Sequence, residues 1–389
     1  DVYKRQKMNI APGGSQLFTV NGPTTLGGTM YLNTANDTYH IGHIPLMVAS
    51  GYSGTYDNLT LSHDYISPYG YELKYTDSGV QLNVTPSAVA TQQGINALAS
   101  DQSTMNNFVS GQTSGSLGND CMGAPTSTNC FAVSYGVSNI GTGNLQSGGT
   151  TITTKLTDNI RVGLFVSNAF TQPSTSTTTY KADRPVVGGL VGFNDGEGLD
   201  VSVSAASGSG TYNIVRPSIA YAEPGSGTAK VNTQAVQAKV AYNIPLAEDI
   251  SITPYVGVRY SNSSVDGYTE SNAIYPLTVN PYKTNSTDVF AGVVYTQQIF
   301  EDLTASVGVG VTHSVAASPG EISGSSDIVN KKTFDTALDS GNATSVSVGG
   351  GLSYELYPGE HINLNVGWQQ KSLNLPDSAS VGLSYSWSF

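Results

Sequence analysis

The sequence predicts an all-β chain: a transmembrane antiparallel β-barrel of about twelve strands with an α-helix in its lumen, preceded by the last rungs of a β-helix. Three observations predict it. Residues 379–389 alternate apolar side chains with Ser and Gly without a break. Charged residues make up 11% of the chain, against roughly 25% in soluble domains. From residue 130 onward, strand-like segments are joined alternately by short turns and long loops.

Composition excludes several other classes of protein. The 389 residues contain no run of 18 apolar residues, so no transmembrane helix is predicted. The net charge of −12 excludes nucleic acid as a partner, because binding it requires clustered Lys and Arg. His40 and His43 lack a third ligand, so no metal site is expected. No cofactor motif is present either.

The N-terminal region reads as short strands separated by turn residues. Residues 1–8 begin with a charged segment and are predicted to be a scar or disordered, and no signal peptide opens the chain. We therefore expect the sequence to be the C-terminal part of a longer product. Residues 9–85 have the rhythm of the last rungs of a β-helix or of a small sandwich.

Residues 86–111 are predicted to form the helix. Thr85 is the expected N-cap with proline at the first helical position, and Gly111 stands where a C-terminal left-handed residue belongs. The segment is too polar for lipid. With Asp101 as its one charged residue, it also carries too little charge for a typical solvated surface. The polar lumen of a pore fits this composition, and a linker helix on a soluble surface is the alternative. The apolar residues expected to share a face are Ile95, Leu98, Met105 and Val109.

Residues 112–129 are predicted to connect the helix to the barrel and include the cysteine pair. Cys121 and Cys130 are close in sequence and could form a disulfide in an oxidising compartment. A zinc site is not expected, because no second cysteine pair or histidine lies near them.

Residues 130–389 are predicted to form the barrel. Its expected strands are 130–141, 149–156, 159–171, 185–194, 198–210, 229–243, 249–262, 286–299, 302–315, 342–356, 360–371 and 379–389. Charged residues fall on the polar register of their strands, as a wet lumen allows and a lipid face does not. The charges expected to face the lumen are Arg161, Asp200, Lys239, Arg259 and Glu355.

In order and spacing, these features resemble an autotransporter of the type V secretion pathway. The resemblance covers nearly the whole chain after residue 9. The terminal aromatics Tyr385, Trp387 and Phe389 are similar to the signal by which outer-membrane barrels are passed to the barrel-assembly machinery. The cysteine pair departs from the usual family pattern. The segments that carry the resemblance are 154–163, 188–196, 255–260 and 385–389.

The resemblance implies an outer-membrane translocator that exports its own N-terminal passenger and anchors it at the cell surface. The implied partners are outer-membrane lipid, the barrel-assembly machinery, periplasmic chaperones and the passenger itself, which is expected to be adhesin-like. Residues 9–85 would then be the autochaperone-like end of the passenger. The alternative is a diffusion porin with an N-terminal plug or periplasmic domain.

No enzymatic activity is expected. Asn106 and Asn107 lie near the end of the predicted helix, and some autotransporters release their passenger by asparagine cyclisation at such a pair. The flanking residues do not match those of the self-cleaving members, so two polar helix residues are the preferred interpretation. His313 and His361 have no adjacent residues that would complete a catalytic set.

Overall fold

The computed structural model describes residues 6–11, 14–15, 17–35, 39–49, 51–62, 66, 69–121, 127–140, 143–328, 333–337, 344–370 and 377–389. Within these ranges the chain forms a β-helical N-terminal region, a long helix and a closed β-barrel. No helix in the described ranges is both long and apolar enough to cross a membrane.

The N-terminal region is a short parallel β-helix with an antiparallel end. Three parallel stacks form its faces, since β1 pairs with β5 and β5 with β8, β3 pairs with β6, and β4 pairs with β7. The hairpin of β9 and β10 then pairs antiparallel with β6. The strands are β1 (Gln6–Ala11), β2 (Gly14–Ser15), β3 (Phe18–Val20), β4 (Thr24–Thr25), β5 (Thr29–Thr34), β6 (Gly42–Ala49), β7 (Tyr52–Ser53), β8 (Asn58–Leu61), β9 (Gly70–Thr76) and β10 (Gly79–Thr85).

The first rung includes residues 6–8, which were predicted from the sequence to belong to a scar or a disordered segment. Met8 is buried and pairs with Leu32 of the next rung. The prediction for residues 1–8 is therefore wrong from Gln6 onward, while residues 1–5 lie outside the described ranges. Alternation of Met8 and Ile10 with polar neighbours places both in the core of the β-helix.

Twelve long antiparallel strands close into a barrel, because the first of them, β11, pairs with the last, β27. Four short strands lie in the long loops, and β17 extends one turn. The strands are β11 (Asn129–Ile140), β12 (Gly143–Lys155), β13 (Ile160–Ala169), β14 (Thr178–Asn194), β15 (Leu199–Arg216), β16 (Gly225–Tyr242), β17 (Ile244–Ala247), β18 (Ile250–Val265), β19 (Tyr268–Thr269), β20 (Thr278–Val279), β21 (Tyr282–Phe300), β22 (Leu303–Ser318), β23 (Glu321–Ser325), β24 (Thr333–Ala337), β25 (Thr344–Tyr357), β26 (Glu360–Gln369) and β27 (Ser378–Ser388).

The outer face of the barrel is a continuous apolar surface, which confirms the predicted fold class. Along β26, Ile362, Leu364 and Val366 point outward with large exposed fractions. Closure leaves no strand of the ring with an unpaired edge, as a bilayer requires.

One end of the barrel carries short connections and is called the turn end: 156–159, 195–198, 243–249, 301–302 and 358–359. The other, the loop end, carries 170–177, 217–224, 266–281 and 319–343.

Several strands extend further toward the loop end than their sequences predict. β12 begins at Gly143 instead of residue 149, β14 begins at Thr178 instead of 185, and β15 ends at Arg216 instead of 210. The reason is that the apolar residues of these strands occupy the outward positions within the membrane but the inward positions above it. Tyr180 and Tyr212 point inward against the helix and are buried, while their outward neighbours are polar.

Large lumen-facing rings lie directly over glycines of the adjacent strand. Phe165 covers Gly188, Phe290 covers Gly257, and a Cβ atom at either glycine would overlap the ring. Both are directly opposed pairs in the ladder. The absent side chains therefore let the rings lie flat against the wall and leave room for the helix.

Candidate functional site: the barrel lumen and its helix

The lumen contains helix α1 (Ala88–Gly115), followed by a 3-10 turn at Ser116–Gly118. Its N-cap is Ser87, whose hydroxyl accepts a hydrogen bond from the Ala90 N–H, and not the predicted Thr85. Gly111 does not end the helix, which continues four residues further because it packs against the wall there. At 1.5 Å per residue, α1 is about 42 Å long and traverses the barrel.

One face of α1 is apolar and packs against a matching patch of the wall. Ile95 and Leu98 are fully buried, and Met105 and Val109 are nearly so. The contacted strands are β14, β15, β16 and β18. The partners of the helix in this cluster include Tyr180, Tyr212, Val231 and Val265 of the wall and Leu277 of the connection 266–281. The helix therefore lies against one side of the barrel and not along its centre.

Two buried polar residues of the helix, Asn106 and Gln102, are hydrogen-bonded to two tyrosines of the wall. The Asn106 amide nitrogen donates to the Tyr282 hydroxyl at 3.1 Å, and its oxygen accepts from the Tyr212 hydroxyl at 2.7 Å. Tyr282 in turn donates to the Gln102 side-chain oxygen at 2.5 Å. Both ends of the Asn106 amide are thus directed at the wall.

We expect no chain cleavage between Asn106 and Asn107. Cyclisation requires the amide nitrogen to attack the backbone carbonyl of its own residue, whereas in this structure both ends of the amide are engaged in hydrogen bonds to Tyr282 and Tyr212. Intact-mass analysis of wild type and Asn106→Asp after long incubation should give one full-length species for each. Cleavage of the wild type that Asn106→Asp abolishes would contradict this expectation.

At the loop end, a buried ion pair closes around the start of the helix. The Arg216 guanidinium donates to both carboxylate oxygens of Glu270 at 2.9 Å, and the side chains are 1% and 2% exposed. Glu270 also accepts from the Leu277 N–H at 2.9 Å. Gly94 of the helix lies against the Arg216 stem. No pattern in the sequence indicates this pair, because both residues fall in segments predicted to be loops.

The single charged helix residue is also tied to the loop end. Asp101 accepts from the Thr177 N–H at 2.7 Å and from the Ser176 hydroxyl at 2.6 Å. These residues belong to the connection 170–177. The carboxylate thus stays at the mouth of the barrel and fixes the rotation of the helix about its axis.

The five charges predicted to face the lumen lie on inward positions of their strands. Arg161 is paired with Asp200 at 2.8 Å, and Arg259 with Asp288 at 3.1 Å. Lys239 lies 5.4 Å from the centre of the Tyr255 ring. Glu355 accepts from the Gly359 N–H at 3.0 Å in the last short turn.

At the turn end, the segment after the helix is held by several contacts. Asp120 accepts from Arg161 at 2.6 Å, so this arginine bridges two carboxylates. The Cys121 carbonyl accepts from the Thr153 hydroxyl at 2.6 Å. Leu117 is buried against Phe165 and two alanines of the wall. Cys121 and Cys130 are joined as a disulfide, with Cα atoms 5.7 Å apart.

The opposite side of the lumen is not filled by the helix. A cavity of about 470 Å³ opens between Gly111–Gly118 and the inner face of β11, β12 and β27. A second, of about 400 Å³, lies nearer the loop end beside Arg259 and Asp288. Their linings are mainly Ser, Thr, Asn and Gly, as expected for water-filled space.

The β-helix lies at the loop end and contacts two loops. The Tyr275 hydroxyl donates to the Asn83 side-chain oxygen at 2.6 Å, and the Tyr69 and Tyr221 rings meet edge to face at 5.2 Å. Ser87 N–H donates to the Tyr221 carbonyl at 2.8 Å. Burial raises the pKa of both Tyr275 and Tyr69, so both phenols remain neutral at physiological pH.

The C-terminal aromatics lie on the outer face at the turn end. Tyr385, Trp387 and Phe389 are between 37% and 51% exposed, and the Trp387 and Phe389 rings are 4.5 Å apart. The backbone of Phe389 exchanges hydrogen bonds with Asn129 at 2.8 and 2.9 Å. The last residue thus helps to close the ring.

This closed barrel with an apolar exterior and an occupied lumen is an outer-membrane β-barrel. The family model for the autotransporter β-domain matches residues 136–367, which is more than half of the chain. The chain therefore belongs to the autotransporter β-domain family and is an outer-membrane translocator. The resemblance seen in the sequence is confirmed.

A solved autotransporter structure has the same fold. The translocator domain of the autotransporter NalP from Neisseria meningitidis is 14% identical, with a TM-score of 0.54, 78% of this chain covered and 99% of that chain. The β-domain of the Bordetella autotransporter BrkA is 13% identical, with a TM-score of 0.46, 67% of this chain covered and 99% of that chain. No curated protein sequence matches.

Proposed function

We propose that this translocator exports its own N-terminal region to the cell surface and keeps it anchored there. The path of the chain supports this most strongly. Thr85 lies at the loop end, Asn129 begins the first barrel strand at the turn end, and α1 joins them through the closed ring. In outer-membrane barrels the long loops are outside and the short turns are periplasmic. The β-helix would then be outside, with the helix left behind as tether and plug.

Accessibility on intact cells tests the proposal. One epitope tag is inserted at Asp77, in the exposed turn of the β9–β10 hairpin, and another at the exposed Asp327 in the loop 319–343. We expect antibody and protease to reach both. A third tag at the exposed Asp158, in the turn 156–159, serves as the matched control and should be reached only after the outer membrane is broken.

Each pattern of accessibility has one meaning. Labelling of Asp327 without Asp77 would place the β-helix in the periplasm and favour a diffusion porin with an N-terminal domain. Labelling of Asp158 on intact cells would mean a reversed or damaged barrel and would remove the basis of the proposal.

We further propose that the barrel-assembly machinery recognises the terminal aromatics and that periplasmic chaperones hold the chain unfolded before insertion. Phe389→Ala is expected to lower the amount of folded barrel several-fold, because it removes the terminal ring while the backbone bonds to Asn129 remain possible. Heat-modifiable migration of membrane fractions on gels measures the folded amount.

Phe300→Ala is the matched control. Phe300 is an aromatic residue that is 69% exposed at the turn end of β21, so its loss removes a comparable lipid contact without touching the terminus. Equal loss of folded barrel in both variants would mean that Phe389 acts through lipid contact alone and is not a recognition signal.

A further inference from the structure

The residues that follow α1 are tied to the barrel wall by several contacts. The chain could pass from α1 to β11 without any of them. We propose that the Cys121–Cys130 disulfide is a mechanical latch, which fixes the periplasmic end of the helix to the seam of the barrel and is closed by a protein thiol oxidant. The latch is a property of the folded chain and goes beyond the proposed export function.

The position of the bond supports this role. Cys130 lies in β11, opposite Thr153 on one side and Ser388 on the other, at the junction between the first and last strands. Cys121 lies three residues after the 3-10 turn that ends the helix. The disulfide therefore links the end of the helix to the strand pair that closes the ring.

The reach of the chain shows what the bond prevents. Cys130 follows Cys121 by nine positions, and a fully extended segment of that length spans about 30 Å. The disulfide limits the Cα separation to 5.7 Å. Without it, a pull on the N-terminal region could move the helix by about 25 Å, which is more than half of its length of about 42 Å.

The remaining contacts at this end are non-covalent and reversible. Among the described residues they include the Asp120–Arg161 ion pair, the hydrogen bonds that the Thr153 and Ser204 hydroxyls donate to the Cys121 and Leu117 carbonyls, and the burial of Leu117. An ion pair with 24% of its carboxylate side chain exposed gives little resistance alone, because water screens it. Only the covalent bond keeps its length under a sustained pull.

Forming the disulfide from the two thiols is a two-electron oxidation. The two S–H bonds break, one Sγ–Sγ bond forms, and two protons and two electrons leave. The electrons pass to the disulfide of a thiol oxidoreductase, which becomes a dithiol, through a mixed disulfide. Both sulfurs are buried, with Cys121 4% and Cys130 2% exposed. The oxidant must therefore act before residues 117–121 dock, and the finished bond is shielded from reductants.

Single-molecule pulling tests the latch on the full chain in a lipid bilayer. Force is applied at the N-terminal end, and the chain length released between extraction of α1 and unravelling of β11 is measured. We expect the double variant Cys121→Ser, Cys130→Ser to release about 25 Å more than oxidised wild type. Wild type refolded in reductant should match the double variant.

Asp120→Asn is the control, since it weakens the neighbouring ion pair but keeps the covalent link. It should leave the released length unchanged and change the force of helix extraction only slightly, because the exposed ion pair gives little resistance. Equal released lengths for wild type and the double Ser variant would overturn the proposal. So would full alkylation of both cysteines, without added reductant, in protein denatured directly from membranes.

Discussion

Glu270→Ala is expected to destabilise the folded protein by about 3–5 kcal/mol, the usual cost of removing one partner of a buried ion pair. Arg216 is 1% exposed and directs two N–H groups at the Glu270 carboxylate. Removing that carboxylate leaves a buried, unpaired cation beside the helix and deprives the Leu277 N–H of its acceptor. Urea unfolding of the barrel in lipid vesicles, followed by heat-modifiable migration, measures the loss.

Two variants show whether the loss has this cause. The double variant Arg216→Met, Glu270→Leu removes both charges and should recover most of the stability, because an apolar pair of similar volume often replaces a buried ion pair without loss. Asp288→Ala should cost less than Glu270→Ala, since its partner Arg259 is 23% exposed. A double variant as unstable as Glu270→Ala would contradict the explanation.

Leu364→Arg is expected to cost about 2–4 kcal/mol of barrel stability, the range for a cation facing lipid near the middle of the membrane. Leu364 is the fifth residue of the ten-residue strand β26 and points outward, 41% exposed. Its guanidinium would have to stay in hydrocarbon or pull water and headgroups inward. The same vesicle unfolding measurement gives the value.

The next residue along the strand supplies the control. Asn365 faces inward and lines the cavity of about 470 Å³, which has room for a larger polar side chain. Asn365→Arg should therefore stay close to wild type. Equal destabilisation by the two arginines would mean that the assignment of lipid and lumen faces on β26 is wrong.

The sequence predicts the membrane-embedded part of the barrel well because there the two faces of each strand meet different solvents. Ile362, Leu364 and Val366 face lipid while the intervening residues face water, and the period of two is visible without a structure. Above the membrane this contrast reverses. Tyr180 and Tyr212 turn inward to pack on α1, and polar neighbours turn out to water, so the upper parts of β14 and β15 read as loops.

The lumen was only partly predictable for a similar reason. Ile95 and Leu98 mark the packed face of the helix through their spacing alone, and the charge of Arg161 marks an inward position. The partners of these groups come from distant parts of the chain. Arg216 and Glu270 are 54 residues apart, and no local pattern reports that they meet.

The rings that lie over glycines have a consequence for the width of the pore. The radius of a closed barrel follows from the number of strands and from the stagger between neighbours. A slip of β13 against β14 by two residues keeps the lumen and lipid faces correct, yet it would bring Phe165 opposite Val186 or Leu190 in place of Gly188. The overlap would oppose any such slip. The ring–glycine pairs therefore help to set the shear of the barrel, and with it the width of the lumen.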